Sequence, residues 1–264
     1  MSTVLKEPAI SDALRADLQE LARACRVLEL EGHGDRSFGH MALRDPDGRG
    51  FWMKRAGIGL GEVFDERDFV LVDFDGKKIG GAGGRHGEWP IHSEIFRLRP
   101  DINATLHTHP FYASVYSASE EPLQIIVPRS ANQPHNVPRW EGTADLICTI
   151  DQGRSMAEKL GPHHAIFLRN HGIVTGGPHI HSPVVIAIAL ERMCQEALTI
   201  NASGLRFGVP GKEELAEKSV TGSKLDPVIT GGRSVWEWYL RKLARAEAQG
   251  HPAIATQPVP IGRR

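Results

Sequence analysis

Cysteine is scarce in this chain of 264 residues: Cys25, Cys148 and Cys194 stand far apart and form no Cys-x-x-Cys pair. An odd, sparse set argues against a disulfide framework and is expected of reduced thiols in a cytoplasmic protein. An excess of one charge is missing too. With 31 basic and 32 acidic residues the net charge is −1, so neither nucleic acid nor an anionic membrane is expected as the main partner. No apolar run reaches transmembrane length, and no apolar stretch follows a basic start, so neither a span nor a leader is expected. Internal repeats and a convincing linker are also absent. The chain is long enough for a sizeable core, and one α/β domain over residues 1–250 is expected, with a loosely ordered tail over 251–264.

Histidine, by contrast, is plentiful, with thirteen residues, several of them near glycine-rich loops. The most informative stretch is Leu106-His107-Thr108-His109, which follows Ala104-Thr105 and reads as the end of a short buried strand. Side chains alternate along a strand, so His107 and His109 share a face and can share one ion. Two strand histidines are more often surface or hydrogen-bonded residues than ligands, and tight binding needs a third donor. His171 is the best candidate, because another apolar run, Ala165 to Leu168, ends just before it.

Around these residues the chain alternates between helical and strand-like periods. Ser11 caps a helix that keeps Leu14, Leu18, Leu21, Cys25 and Leu28 on one face. Short apolar runs follow at Met41–Leu43, Phe51–Met53 and Phe69–Val72, with Asp75-Gly76 as a hairpin signal. A helix starting near Pro90 is expected to turn Ile91, Ile95 and Leu98 inward. Strands are expected at Leu123–Val127 and Ala165–Leu168, and helices near Gln152–Leu160, Ser182–Ala202 and Ser234–Ala248.

Taken in order, Glu88-Trp89, Arg99-Pro100-Asp101, His107-Thr108-His109 and Asn170-His171-Gly172 resemble the class II aldolase/adducin family, over roughly residues 14 to 205. The resemblance implies a single three-layer α/β/α domain with a central, largely antiparallel sheet. It implies that His107, His109 and His171 bind one divalent ion per subunit, Zn²⁺ or Mn²⁺ first, with Fe²⁺ or Co²⁺ also admitted. It implies Glu88 as the catalytic acid/base, although a carboxylate at a helix N-terminus is also favoured by the macrodipole alone. A homotetramer with active sites at subunit junctions is implied as well.

Departures from the family's sugar-phosphate pattern point to the substrate. Its phosphate loops carry small hydroxyls and amides, whereas this chain has Gly39-His40-Met41-Ala42, Lys54-Arg55-Ala56-Gly57 and Arg85-His86-Gly87. Flat, bidentate cations suit carboxylates, so His40, Arg55, Arg85 and His86 are expected to face a small-molecule carboxylate. Arg55 is the foremost candidate for a clamp. Trp89 is either an aromatic wall for substrate or a core anchor, and His92 either touches substrate or orients Glu88. The family's aldolases also use a tyrosine well after the histidine pair, and none occurs here between residues 117 and 238. The chain therefore looks closer to the family's aromatic, dihydroxyphthalate-type decarboxylases. A retro-aldolase or epimerase on a hydroxy-acid or sugar phosphate is the alternative reaction, and an adducin-like scaffold the alternative without one. Burial beside Trp89 and Ile91 would raise the Glu88 pKa, and a nearby cation would lower it. His33 in its glycine loop can contact substrate, and Arg129, His135 and Arg139 can close the site of a neighbouring subunit. His163, His164, His179 and His181 read as surface or capping groups.

Overall fold

A computed structural model describes residues 10–128, 133–217 and 233–261. The first helix, α1 (Asp12–Leu30), begins where the Ser11 hydroxyl accepts the Leu14 N–H and buries the expected leucines. Strands β1 (His40–Arg44), β2 (Phe51–Lys54), β3 (Phe69–Val72) and β4 (Lys78–Gly80) then form a meander. Gly76, at φ +85°, makes the β3–β4 turn, a conformation that glycine adopts without steric cost. Helix α2 (Trp89–Leu98) leads into β5 (Ala104–Thr108), followed by α3 (Phe111–Tyr116). Next come β6 (Arg139–Trp140), α4 (Ile150–Leu160), β7 (Ala165–Leu168), β8 (Gly172–Gly177), α5 (His181–Ser203) and α6 (Arg233–Ala248).

The strands form one eight-stranded sheet in the order β4-β3-β2-β1-β5-β8-β7-β6. The expectation of a largely antiparallel sheet is corrected to a mixed one, because β6 runs parallel to β7 while the other neighbours are antiparallel. Parallel neighbours need a crossover connection, and α4, lying between β6 and β7 in the chain, supplies it. Apolar residues on opposite faces of the strands fall into two hydrophobic clusters, as a period of two requires. Trp52, Leu71, Leu106 and Phe167 join one cluster with α1, α5 and α6; Met53, Val70, Ile166 and Val174 join the other with α2 and α4.

Several expectations about elements fail. Leu123–Val127 forms no strand: prolines 122 and 128 bracket it, and its Val127 carbonyl is taken by the Gln133 side chain rather than by a neighbouring strand. Leu98, expected inside, is exposed at the last turn of α2. Part of the segment expected to be loose makes contacts with the domain: Ile254 is buried in the first cluster, the Ala255 N–H donates to the Gly61 carbonyl, and Arg55 Nη2 donates to the Val259 carbonyl. Low apolar content in the segment hid the fact that one isoleucine, one backbone–backbone bond and one bond from the Arg55 side chain hold these residues.

Candidate metal and proton-transfer site

The site gathers at one end of the sheet. His107 lies in β5 and His109 just beyond its end, one residue apart and on one face, with their Nε2 atoms 3.0 Å from each other. His171 comes from the turn between β7 and β8, where Asn170 takes φ +58°, a left-handed conformation that asparagine tolerates better than most residues. Gly172 follows because nothing larger fits: a Cβ there would lie 2.5 Å from the Thr108 carbonyl oxygen. Glu88 precedes the first turn of α2, its Oε2 3.4 Å from His107 Nε2 and its Oε1 3.8 Å from His171 Nε2. The Ile147 N–H donates to the same Oε1 at 3.0 Å and fixes the carboxylate. One donor atom from each of Glu88, His107, His109 and His171 lies within 4.8 Å of the others.

The hydrogen bonds behind these rings decide what they can bind. His107 Nδ1 faces the Ile173 carbonyl at 2.9 Å and His109 Nδ1 faces the Asp35 carboxylate at 3.3 Å. Both partners only accept, so Nδ1 carries the proton in each ring and Nε2 presents a lone pair. Two lone pairs 3.0 Å apart repel unless a cation lies between them, so this donor set fits a divalent ion. Burial lowers the pKa of His109 and His171 to about 4, which keeps both neutral, as ligation requires. Burial opposes ionisation of Glu88, but His107 and His40 outweigh it and hold the carboxyl well below the usual range.

The residues expected to meet substrate divide into two groups. His40 pairs directly across from His107 in the β1–β5 register and sits behind Glu88, its Nε2 3.8 Å from Oε2. His92, fully buried, bonds His40 and Thr105 and so lies further back still. The His86 ring is 4.6 Å from that of His40, and its buried Nε2 has no hydrogen-bond partner among the described residues. His86 and His92 both lie against His40, which alone of the three faces the Glu88 carboxylate. Arg55 does not face it: it is buried, with Nε 2.9 Å from Asp68 and Nη2 on the tail carbonyl of Val259, so the expected carboxylate clamp is a structural ion pair. Arg85 donates to the Gly76 and His86 carbonyls and lies over the Trp89 ring. Trp89 is a core anchor against Gly76, leaving no aromatic wall at that position. His33 is buried against the Thr108 hydroxyl, and Arg139 donates to the Ser117 carbonyl from β6. Arg129 lies outside the described residues.

Sequence reasoning missed the mouth of the site. A cavity of about 400 Å³ opens on Glu88, His109 and His171, and its rim is apolar: Phe38 (46% exposed), Phe111 (69%) and Leu146 (52%). No lysine or arginine lines it among the described residues. These side chains come from two loops and a short helix with no shared period, so no pattern in the chain linked them. A larger cavity of about 700 Å³ beside Asp17, Arg44 and Trp236 shares no residue with the donor set, so size alone does not mark the site.

Three histidines and a carboxylate converge at a sheet end, beside a mouth that carries apolar side chains, and together could hold a metal ion. The chain belongs to the Class II Aldolase and Adducin N-terminal domain family, whose pattern matches residues 19–198. It is 27% identical over 239 residues to a 3,4-dihydroxyphthalate decarboxylase of Arthrobacter keyseri, covering 86% of this chain and 94% of that protein. It is 28% identical over 185 residues to an L-fuculose phosphate aldolase of Methanococcus maripaludis, covering 68% of this chain and 94% of the relative. The solved L-fuculose 1-phosphate aldolase from Glaciozyma antarctica superposes with a TM-score of 0.74 at 28% identity, over 95% of this chain and 98% of the other. Relatives of the chain are thus carbon–carbon lyases of both kinds. No helix among the described residues is long and apolar enough to cross a membrane.

Proposed function

We propose that this protein is a metal-dependent, non-oxidative decarboxylase of a hydroxylated aromatic carboxylate such as a dihydroxyphthalate. The observation that carries the reading is the cavity mouth beside Glu88: Phe38, Phe111, Val115 and Leu146 offer apolar surface to the face of a flat ring, with Asp35, Ser114 and Asn170 as its polar lining. His107, His109 and His171 would hold the ion, and the ion, when bound, supplies Lewis-acid stabilisation of the charge left on oxygen.

Glu88 is ionised at rest, so it begins as a base. It takes the proton of a phenolic hydroxyl ortho to the leaving carboxylate. It then gives that proton to the ring carbon bearing the carboxylate, with ring aromaticity broken. The carbon–carbon bond to the carboxylate breaks, its electron pair returns to the ring, and carbon dioxide leaves. Glu88 is ionised again, and the phenolate recovers a proton from water. The Ile147 N–H keeps the carboxylate aimed throughout, and the apolar rim excludes water from the departing carboxylate.

The alternative is retro-aldol cleavage of a sugar phosphate, supported by the likeness to the fuculose phosphate aldolases. Incubating the metal-loaded protein separately with 3,4-dihydroxyphthalate and L-fuculose 1-phosphate distinguishes them. Carbon dioxide from the first is expected; aldehyde from the second, with the dicarboxylate inert, overturns the assignment. A scaffold without catalysis would give neither product and no bound metal on elemental analysis. We also propose a cytoplasmic homotetramer with the site at a subunit junction, supported by exposed Leu205, Phe207 and Trp238. Light scattering that finds an active monomer would exclude it. The two clusters on opposite strand faces support a three-layer arrangement.

A further inference from the structure

Behind Glu88 runs a buried chain of polar groups with no outlet. Thr105 Oγ1 lies 2.7 Å from His92 Nδ1, His92 Nε2 lies 2.7 Å from His40 Nδ1, and His40 Nε2 faces Glu88 Oε2 at 3.8 Å. All three residues behind Glu88 are buried, and Thr105 Oγ1 has no further partner among the described residues. A chain that stops inside the sheet cannot carry protons to solvent. It can set the direction of its own hydrogen bonds.

Both rings lie in the interior, His92 at 0% and His40 at 2% exposure, where the uncharged form is favoured. Each ring therefore carries one N–H, and only two arrangements satisfy the contacts. In one, the Thr105 hydroxyl donates to His92 Nδ1, His92 Nε2–H donates to His40 Nδ1, and His40 Nε2–H points at Glu88. In the other every proton is reversed, and a bare His40 lone pair faces an ionised carboxylate. Like polarity across 3.8 Å in a buried site disfavours the second arrangement. His86 and His107, with rings 4.6 Å and 5.2 Å from that of His40, crowd the ring without a bond to it and do not alter this choice.

We infer that His92 and Thr105 are positioning residues that fix His40 in its Nε2–H form, so that a buried N–H is held toward the Glu88 carboxylate. The inference rests on the reading of Glu88 as the proton-transfer group, and it assigns the direction of the bonds behind it.

Ring protons are read directly by long-range ¹H–¹⁵N correlation on zinc-loaded, histidine-labelled protein. Protonation of both His40 and His92 on Nε2 is expected; protonation of His40 on Nδ1 overturns the inference. With 3,4-dihydroxyphthalate as the probe, His92→Leu should lower kcat about 10-fold with KM within about twofold. His92→Gln, whose amide can still donate to His40 Nδ1, should recover most of the loss. Equal loss in the two variants, both folded and metal-loaded, also overturns it. Should the wild type not turn over that compound, the substrate reading fails, and the wild-type ring protons still decide the chain.

Discussion

Glu88 accepts an N–H from Ile147 and stands within 3.8 Å of His40, His107 and His171. Glu88→Gln keeps the size and loses the proton, so turnover should fall by roughly 10²-fold or more while metal content stays near normal. Steady-state rates read beside elemental analysis check both halves. His171→Ala leaves two of the three histidine ligands, and most bound metal should be lost on dialysis while the circular dichroism spectrum is retained. Arg55 behaves differently from what its motif suggests. Removing it leaves Asp68 buried without its cation, so Arg55→Ala should destabilise the fold by about 3–5 kcal/mol, measured by urea unfolding. A large loss of kcat/KM at unchanged stability would restore it to the substrate site.

At the scale of elements, the two ligand-bearing pieces meet because β5 and β8 are adjacent and closely spaced. Gly172 makes that approach possible, since any side chain there would strike the Thr108 carbonyl and the His109 ring. Gly172→Ala should therefore weaken metal binding, by roughly 10-fold or more on the scale of lost ligand support, with little change in helix content. Competition against a chelator measures it. The β1–β5 register does the same for His40, placing it opposite His107. Helices α1, α2 and α4 to α6 were readable from apolar spacing and caps, because each buries a stripe that repeats at the helical period. Strands β6 and β8 were not: two residues carry no period, and Gly172–Gly177 is half glycine.

For the molecule as a whole, the tail contacts and the buried imidazoles set the conditions for stability. Deleting residues 251–264 removes Ile254 from the core and one acceptor from Arg55, so a loss of about 2 kcal/mol or more is expected from the isoleucine alone. Thermal unfolding of the truncated chain tests it. His33 is buried and its pKa is lowered from 6.5 to about 3 by burial. The unfolded chain therefore binds this proton more readily than the folded one. The stability it supports is complete above about pH 6.5 and is lost as pH falls toward 3. Urea unfolding between pH 7 and 4 should show that decline, and His33→Phe should make it shallower by the share of this one proton. An equal slope in the variant would show that other groups carry it.

The chain by itself determined the helices, the His107–His109 pair on one face, and the candidacy of His171 and Glu88, since strand alternation and a short run of motifs are local properties. Only the tertiary structure decided what the cations do. Arg55 and Arg85 look alike in sequence and both turn away from the donors, because each finds carbonyls or a carboxylate nearer by. His40, His92 and Thr105, up to 65 positions apart, become one chain for the same reason: burial leaves each polar atom to be satisfied by whichever partner the packing brings within reach.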